Sequence, residues 1–270
     1  MKNLMKFKDI DLEVIDLVKK LQKESFETYI VGGAVRDLML GINPKDYDIS
    51  TAASPEQVKS VFRRKARIIG RRFRLVHYYA SDRKIIEIST FRREPLEHEK
   101  MVEVKGKLRP NDNSYGNASE DAWRRDFTVN AIFYDPIAEK IIDFTGMGKN
   151  DLQKKIVRII GEPSRRFSED PVRVLRALKL LAIYDFTLEE NTKAALFQLM
   201  PLIRNSSNSR LSLEFEKILK NQNTGKILKT FHDHGFMKFF LPEIDRELIA
   251  NPERSKILFD ILDELKMRIS

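Results

Sequence analysis

Residues 29–48 constrain the fold more than any other part of the sequence. A short apolar run predicts a strand, the pair Gly32 and Gly33 predicts a turn, and a helical turn then leads to a second strand. Asp46 and Asp48 lie two residues apart on this second predicted strand. Their carboxylates are therefore expected on the same side of the strand, with Cα atoms roughly 7 Å apart.

This combination suits the transfer of a nucleotide. Glycines let backbone N–H groups come close to a triphosphate. Two carboxylates suit Mg²⁺, which prefers oxygen ligands and shares its coordination shell with substrate phosphates. A lone Gly-Gly is only a turn, and a lone Asp-x-Asp is usually a solvated surface pair. Their order along one short segment is more specific, so we expect Asp46 and Asp48 to be catalytic metal ligands.

Glu87 is the best candidate for a third acidic ligand, which two-metal sites usually contain. It lies in the run Lys84-Ile-Ile-Glu-Ile-Ser-Thr90, where Glu87 and Ser89 share one face of an otherwise apolar strand. A carboxylate in such a strand is costly unless it is paired or bound to a metal. The alternative is an edge strand whose polar face meets water, and the residues alone leave both interpretations open.

Composition limits the class of protein. The 270 residues suffice for a sizeable core and more than one domain. The formal net charge of +9 makes a polyanion a plausible partner. Cysteine is absent, which excludes disulfides and cysteine zinc sites. The N-terminus has no apolar signal core and no apolar run approaches a membrane span, so we expect a cytoplasmic protein without membrane contact.

Periodicity predicts an α+β fold in two parts, residues 1–148 and 149–270. Short strands and helices make the first part a small mixed sheet with helices. Residues 92–119 are rich in charge, Asn, Pro and Gly, which predicts a mobile loop. After Asn150 helical periodicity dominates, with helices predicted at about 169–184, 189–200, 209–221, 225–234 and 254–267.

A second block with chemical character is Arg124-Arg-Asp-Phe-Thr-Val-Asn130. Arginine binds phosphate oxygens through its planar guanidinium group, and Arg36 follows the Gly-Gly pair by one turn. On a helix, Arg125 and Asp126 cannot both face the same way as Arg124, so some of these residues anchor structure while others reach a ligand. Asn130 could hydrogen-bond a ribose or hold a helix end. The alternative is a solvated, charged helix start.

The third block, Glu169-Asp-Pro-Val-Arg-Val-Leu-Arg176, begins the first long predicted helix. Asp170 precedes a proline and is a natural N-cap, which is a purely structural role. In the functional interpretation, Asp170 and Arg173 lie three residues apart on one helical face. The carboxylate can accept from an exocyclic amine, and the guanidinium can donate to the adjacent ring nitrogen. Together they would read adenine or cytosine and reject guanine and uracil.

These motifs resemble the class II nucleotidyltransferases of the polymerase-β superfamily, the family of bacterial poly(A) polymerases and CCA-adding enzymes. The resemblance covers residues from about 29 to 241 and rests on Gly-Gly-x-Val-Arg-Asp, Asp-x-Asp, Arg-Arg-Asp-Phe-Thr-x-Asn-Ala and Glu-Asp-x-x-Arg. It implies a polymerase-β-type nucleotidyltransferase head followed by an all-helical neck and body. It favours Glu87 as part of the catalytic metal site, and Asp170 and Arg173 as base-reading residues, with Arg176 as a supporting neighbour.

The resemblance assigns the ribose and triphosphate to one set of residues: Gly32, Gly33, Arg36, Arg124, Asp126 and Asn130. The expected reaction is template-independent addition of AMP from ATP to RNA 3′ ends, with mRNA fragments or tRNA as the RNA. In a two-metal mechanism, one Mg²⁺ would activate the RNA 3′-hydroxyl for in-line attack, and the other would stabilise the leaving pyrophosphate.

Two alternatives stay open. A CCA-adding enzyme, which uses CTP and ATP on tRNA, shares every catalytic motif. Residues 70–77, and residues 112–116 followed by 120–126, resemble poly(A) polymerases more closely, a preference that rests on resemblance alone. The arginines of the first stretch add positive charge near the expected site, which a solvated basic loop explains equally well. The remote alternative is an inactive RNA-binding protein, against which the intact carboxylate pair argues.

Overall fold

The structure is a computed structural model that describes residues 7, 9–70, 74–81, 84–99, 101–104, 107–110 and 114–269. Two compact units make up the chain, Met1–Asn150 and Asp151–Ser270. Arg71 and Arg72, and the beginning of the stretch 112–116, lie outside the described residues. Within the described part of the chain, no helix is both long and apolar enough to cross a membrane.

The first unit is built on a mixed sheet. Among its described residues, the strands are β1 (Thr28–Val31), β2 (Asp48–Thr51), β3 (Ala66–Ile69), β4 (Leu75–Tyr79), β5 (Ile85–Thr90), β6 (Met101–Val104), β7 (Lys107–Pro110), β8 (Ile132–Asp135) and β9 (Lys140–Asp143). Seven of them form one sheet in the order β3-β4-β5-β2-β1-β8-β9, and β6 and β7 form a separate antiparallel hairpin. β2 and β5 run parallel, whereas the other neighbours in the large sheet are antiparallel. The predicted α+β fold is confirmed.

The helices that begin in this unit are α1 (Leu12–Lys23), α2 (Gly33–Met39), α3 (Pro55–Phe62), α4 (Ala118–Trp123) and α5 (Gly148–Gln153). Asp11 caps α1, because its carboxylate accepts a hydrogen bond from the Glu13 N–H at 3.0 Å. As its periodicity predicts, α1 buries one apolar face, made of Val14, Leu17, Val18 and Leu21. This face packs against β1 and α3 and helps to form the core of the unit.

Strand register gives the sheet one apolar face and one polar face. Cα partners on neighbouring strands point to the same side of a sheet. On the apolar side, a buried row crosses four strands at Ile30, Ile49, Ile88 and Val76. The neighbouring residue on each of β2, β5 and β4, together with its partner on β3, points to the opposite side of the sheet. These residues form an ionisable row, Asp48, Glu87, His77 and Arg67. The first residue of β2 therefore lies on the polar face.

Two local predictions for this unit are wrong. The strand expected to hold both aspartates begins only at Asp48, and Asp46 lies in a bend before it. The alternation of side chains along a strand therefore does not determine the direction of the Asp46 carboxylate. The segment 92–119, expected to be a mobile loop, contains the β6–β7 hairpin. Its two strands have only four residues each and contain three charged residues between them, so they do not stand out from the charged neighbours.

The second unit is mainly helical, as predicted. Its described helices are α6 (Pro163–Glu169), α7 (Val172–Tyr184), α8 (Glu190–Leu199), α9 (Asn208–Leu219), α10 (Thr224–Asp233), α11 (Met237–Phe240), α12 (Pro242–Ala250) and α13 (Pro252–Ile269). A short parallel pair, β10 (Ile156–Val157) and β11 (Thr187–Leu188), completes it. The helix predicted at about 169–184 is α7, which begins at Val172, and the short helix α6 before it was not predicted.

Candidate active site

Asp48 and Glu87 face each other across two parallel strands. They are Cα partners in the β2–β5 pair, and neighbouring strands lie about 4.8 Å apart. Asp48 is exposed, and the Glu87 side chain is 55% exposed. The sheet thus presents two carboxylates side by side on its polar face, where a ligand can reach them. The sequence predicted both residues, but only the pairing of the strands brings them together.

Gly32 occupies a position next to this carboxylate that a larger residue would fill. Its backbone has φ +72°, a conformation that favours glycine. A Cβ atom built there would lie 3.3 Å from Arg125 Nη1 and 4.0 Å from Asp48 Oδ2. The Gly32 N–H donates to the Ile132 carbonyl oxygen at 3.2 Å. Gly32 therefore allows Arg125 to approach the turn closely beside Asp48, whereas the expectation that its own N–H meets a triphosphate does not fit this bond.

One hydrogen-bonded network joins three of the predicted nucleotide-binding residues, Arg36, Asp126 and Asn130. Arg36 Nη1 donates to Asn130 Oδ1 at 2.6 Å, and Asn130 Nδ2 donates to Asp126 Oδ1 at 3.2 Å. Arg36 also donates through Nε and Nη2 to Asp37 Oδ1, at 3.0 and 2.8 Å. Gly33 opens α2 close to this network, because a Cβ there would lie 3.4 Å from Arg36 Nη2. Widely separated parts of the sequence thus converge beside the Gly-Gly turn.

Asp121 organises the arginine block, a role that sequence reasoning missed. Its buried carboxylate accepts from Arg124 Nη2 at 2.7 Å, from Arg125 Nη2 at 2.8 Å and from the Arg92 N–H at 3.1 Å. Burial alone would raise the pKa of Asp121, but the two guanidinium groups outweigh it and hold the pKa below its ordinary value. The available signal was the spacing of three and four residues from Asp121 to the two arginines.

Arg125 is the arginine that lies closest to the Gly-Gly turn. Its Nη2 donates to Ser50 Oγ at 3.1 Å, and its guanidinium lies over the Phe133 ring at 5.2 Å from the centroid. Together with the 3.3 Å approach to the Cβ position of Gly32, these contacts place Arg125 beside Asp48. The sequence predicted Arg124 as the ligand-binding arginine, whereas the structure places the half-buried Arg125 beside Gly32.

The carboxylates do not form a closed metal cage. Among the described residues, no group of three or more His, Cys, Asp or Glu side chains is close enough to share one ion. Glu87 Oε1 lies 3.5 Å from His77 Nε2, so this carboxylate is oriented partly toward a neighbouring strand. Asp46 lines a cleft of about 470 Å³ that also includes Tyr47 and Lys84. The donor set is nevertheless all oxygen, which fits an ion that takes its remaining ligands from substrate phosphates.

The base-reading candidates are held by ion pairs and hydrogen bonds within the second unit. Asp170 Oδ1 accepts from the Val172 N–H at 3.3 Å, and Oδ2 accepts from Arg210 Nη2 at 2.8 Å. Arg173 Nη1 donates to the Arg166 carbonyl oxygen at 2.6 Å. Asp170 is the C-cap of α6 and lies before α7, so the expected single helical face shared by Asp170 and Arg173 is wrong. Arg176 lies on the exposed side of α7.

Two family models match this chain. Residues 28–158 match the "Poly A polymerase head domain", and residues 185–248 match the "Probable RNA and SrmB- binding site of polymerase A". The chain belongs to the family of bacterial poly(A) polymerases and CCA-adding enzymes. The first match contains every predicted site residue of the polar sheet face and of the arginine block. Asp170, Arg173 and Arg176 lie between the two matched segments.

Relatives in both branches of the family are similar to this chain. Poly(A) polymerase I of Haemophilus influenzae is 38% identical over 240 residues, or 88% of this chain and 53% of the relative. The CCA-adding enzyme of Bacillus licheniformis is 34% identical over 238 residues, or 88% and 57%. The crystal structure of the Bacillus stearothermophilus CCA-adding enzyme in complex with CTP matches with a TM-score of 0.69 and 31% identity, over 83% of this chain and 52% of that one. This family member therefore spans about half the length of these relatives.

Proposed function

We propose that this chain is a template-independent nucleotidyltransferase that adds AMP from ATP to RNA 3′ ends. The observation that carries the proposal is the position of Asp48, which faces Glu87 and lies close to Gly32 and Arg125. Nucleotide transfer needs carboxylates next to a place where phosphates can lie, with fixed cations nearby. Membership of the family supports the same reaction class.

Each predicted residue then has a part in the proposed reaction. Gly32 and Gly33 form the turn at which the triphosphate would lie, and Arg124 and Arg125 offset its negative charge through guanidinium groups that Asp121 holds in place. Ribose and phosphate contact the hydrogen-bonded network of Arg36, Asp126 and Asn130. Because these groups are already oriented by hydrogen bonds, little reorganisation accompanies binding of the nucleotide.

In this proposal, Mg²⁺ would be held by Asp46, Asp48 and Glu87. When bound, the ion supplies Lewis-acid stabilisation of charge on the reacting oxygens. The protein itself contributes the orientation of the carboxylates. Asp48 is fixed by the first backbone pair of β2 with β5, while Asp46 lies in the bend before that strand and can adjust to the substrate.

In the proposed division of labour, residues 1–148 carry out catalysis and residues 149–270 recognise the base and bind RNA. Asp170 accepts from the exocyclic amine of adenine, and Arg173 donates to the neighbouring ring nitrogen, with Arg176 in support. The net charge of +9 favours RNA as the polyanion that supplies the 3′ end. mRNA fragments and tRNA are both candidate acceptors.

A CCA-adding activity, with CTP and ATP on tRNA, is the second candidate. Its support is specific: relatives named CCA-adding enzymes reach 34 to 36% identity, and the matched Bacillus stearothermophilus structure contains CTP. A pocket that accepts from an amine and donates to a ring nitrogen fits cytosine as well as adenine. The choice therefore depends on which nucleotides the chain incorporates.

Nucleotide incorporation with Mg²⁺ tests the proposal. The primers are an unstructured oligo(A) and a tRNA lacking its CCA end, each offered ATP alone, CTP alone or both. Long A-tails on oligo(A), with CTP ignored, are expected. Addition of only C, C and A to the tRNA would favour the second candidate. Absence of incorporation on both primers by folded protein would contradict both and favour an inactive RNA-binding protein.

Removal of the carboxylates separates catalysis from binding. Asp46→Ala and Asp48→Ala are each expected to lower incorporation by about 10³-fold or more, while the circular dichroism spectrum and RNA affinity stay unchanged. The matched control is Asp9→Ala, which removes an exposed carboxylate that lines the same cleft as Asp46 and should keep full activity. Unchanged incorporation by Asp48→Ala would show that the polar face of the sheet is not the catalytic site.

A further inference from the structure

We propose that His77 is a positioning residue that orients the Glu87 carboxylate, an inference that rests on the proposed function. His77 lies on β4 as the Cα partner of Glu87 on β5, and Glu87 is in turn the partner of Asp48 on β2. The three side chains therefore point to the same side of the sheet in one row. The catalytic role itself stays with the carboxylates.

The imidazole faces the carboxylate at close range. His77 Nε2 lies 3.5 Å from Glu87 Oε1, slightly beyond the ordinary hydrogen-bond range of about 2.7–3.2 Å. Only 20% of the His77 side chain is exposed, against 55% of the Glu87 side chain. The imidazole is thus the fixed partner, and the carboxylate is the partner that can move to close the gap.

His77 Nε2 is buried and has no hydrogen-bond partner within the described part of the chain. A buried donor without a partner destabilises a protein, so such an atom calls for a specific reason. Glu87 Oε1 is the acceptor that one small side-chain rotation brings into range. A neutral imidazole protonated at Nε2 donates one hydrogen bond to that oxygen, which leaves Oε2 available on the side of Asp48.

The neighbours of His77 restrict its ring to this direction. Tyr79, two residues further along the same face of β4, packs edge-on against the imidazole with centroids 6.4 Å apart. Arg67, the Cα partner of His77 on β3, lies over the Tyr79 ring at 5.4 Å and so closes the far side of the row. The imidazole therefore acts on Glu87 in the way that outer partners orient carboxylate and histidine ligands in metal sites.

A double-mutant cycle tests this assignment. His77→Ala is expected to raise the Mg²⁺ concentration for half-maximal incorporation by about 10-fold or more. His77→Gln, whose amide can donate near the position of Nε2, should restore most of the loss. In the Glu87→Gln background, His77→Ala should add no further change, because its effect passes through the carboxylate. His98→Ala, which removes an exposed histidine outside this row, is the control and should leave the Mg²⁺ dependence unchanged.

Two measurements without turnover complete the test. Binding of Mn²⁺, followed by electron paramagnetic resonance, should weaken about 10-fold in His77→Ala but not in His98→Ala. The chain has four histidines, so His77→Gln identifies the ring ¹⁵N signals of His77 by difference. Those signals should report an Nε2-protonated ring and shift in Glu87→Gln.

The outcomes separate the two proposals. Additive effects of His77→Ala and Glu87→Gln, or an unchanged Mn²⁺ affinity in His77→Ala, would overturn the positioning role even if the wild-type chain incorporates AMP. Glu87→Gln with full activity would overturn it as well, because the proposed route runs through Glu87. If the wild-type chain incorporates nothing, the proposed function fails, while Mn²⁺ binding and the imidazole signals still decide whether His77 orients Glu87.

Discussion

At the scale of single residues, Gly32 combines two requirements that can be separated experimentally. Gly32 and Gly41 both have positive φ, +72° and +76°. A Cβ at Gly32 would lie 3.3 Å from Arg125 Nη1, whereas one at Gly41 would meet nothing within 4 Å. Gly32→Ala and Gly41→Ala should each lower the free energy of unfolding by about 1–2 kcal/mol. Only Gly32→Ala should also raise the KM for ATP, by about 10-fold or more.

The readouts are urea denaturation and steady-state incorporation on oligo(A). Because Gly41→Ala carries the same backbone strain without the crowding, it corrects for any loss of folded protein. Equal KM values in the two variants would show that the placement of Arg125 beside Gly32 does not affect nucleotide binding, and the triphosphate site would have to be sought elsewhere.

Asp121 should stabilise the first unit through its buried ion pairs. Asp121→Asn removes the charge that two guanidinium groups share and is expected to lower the free energy of unfolding by about 3 kcal/mol. The single tryptophan, Trp123, lies two residues away at the end of α4, so its fluorescence follows unfolding at this place. The control is Glu243→Gln, which breaks an ion pair that is about three-quarters exposed on both sides and should have little effect.

The same residue predicts a pH dependence. The pKa of Asp121 is lower in the folded protein than in an unfolded chain, so its ionisation stabilises the fold above the unfolded pKa. That contribution is lost as the pH falls through the folded pKa. The stability of the wild type should therefore decline more steeply on acidification below about pH 4 than that of Asp121→Asn. Parallel pH curves for the two proteins would show that the guanidinium groups do not depress this pKa.

Some side-chain directions in the candidate site could not be predicted from the sequence. The motif containing Arg124 and Arg125 predicts a phosphate-binding block, but the sequence does not tell which arginine points to the Gly-Gly turn. The spacing from Asp121 to the two arginines allows both ion pairs, but the direction of each arginine depends on the burial of Asp121 in the folded unit. The proximity of His77 to Glu87 likewise depends on the register of β4 with β5, which a local sequence pattern does not fix.

At the scale of elements, two helices with the same cap allow a matched comparison. Asn117 Oδ1 accepts from the Glu120 N–H at 2.9 Å at the start of α4, and Ser54 Oγ accepts from the Gln57 N–H at 3.2 Å at the start of α3. Asn117→Ala and Ser54→Ala should each cost about 1 kcal/mol of stability. Because α4 carries Asp121, only Asn117→Ala should raise the KM for ATP, by several-fold.

Urea unfolding and AMP incorporation measure both effects, with Ser54→Ala as the control for cap loss alone. A KM that rises equally in both variants would mean that general stability, and not the placement of α4, governs nucleotide binding. A KM that rises in neither would mean that the ion pairs of Asp121 hold the arginines without help from the helix start.

Element predictions succeeded where hydrophobic periodicity is strong and failed where backbone chemistry competes with it. The amphipathic pattern of α1 and the alternation along β5 gave the correct element types. The predicted helix at about 169–184 begins only at Val172, and α6 was missed because it buries only Arg166 and Phe167 and leaves little apolar pattern to detect. The chain then turns at Asp170 and Pro171 before α7 begins, so Asp170 ends one helix and precedes the next.

At the scale of the whole molecule, the two units differ in the periodicity of their apolar residues. The change to helical periodicity after Asn150 coincides with the division between the units. In the sheet of the first unit, side chains alternate between two faces, one of which can be polar. In the second unit, amphipathic helices pack their apolar faces together. The family assignment adds that this chain matches the head and a following segment of relatives roughly twice its length. Whether this chain is active without the remaining half of such relatives is therefore a question that the incorporation assay answers.

The net charge of +9 predicts how RNA binding should respond to salt. Each phosphate of a single strand that the protein neutralises contributes about −0.7 to the slope of log affinity against log salt concentration. If three phosphates are neutralised, the Kd for an oligo(A) should rise about 20-fold between about 50 and about 200 mM KCl. Fluorescence anisotropy of a labelled oligo(A) measures this slope, and an oligonucleotide with an uncharged methylphosphonate backbone is the control. A flat salt dependence for the charged strand would contradict electrostatic binding and would assign the excess of lysine and arginine to the solvated surface alone.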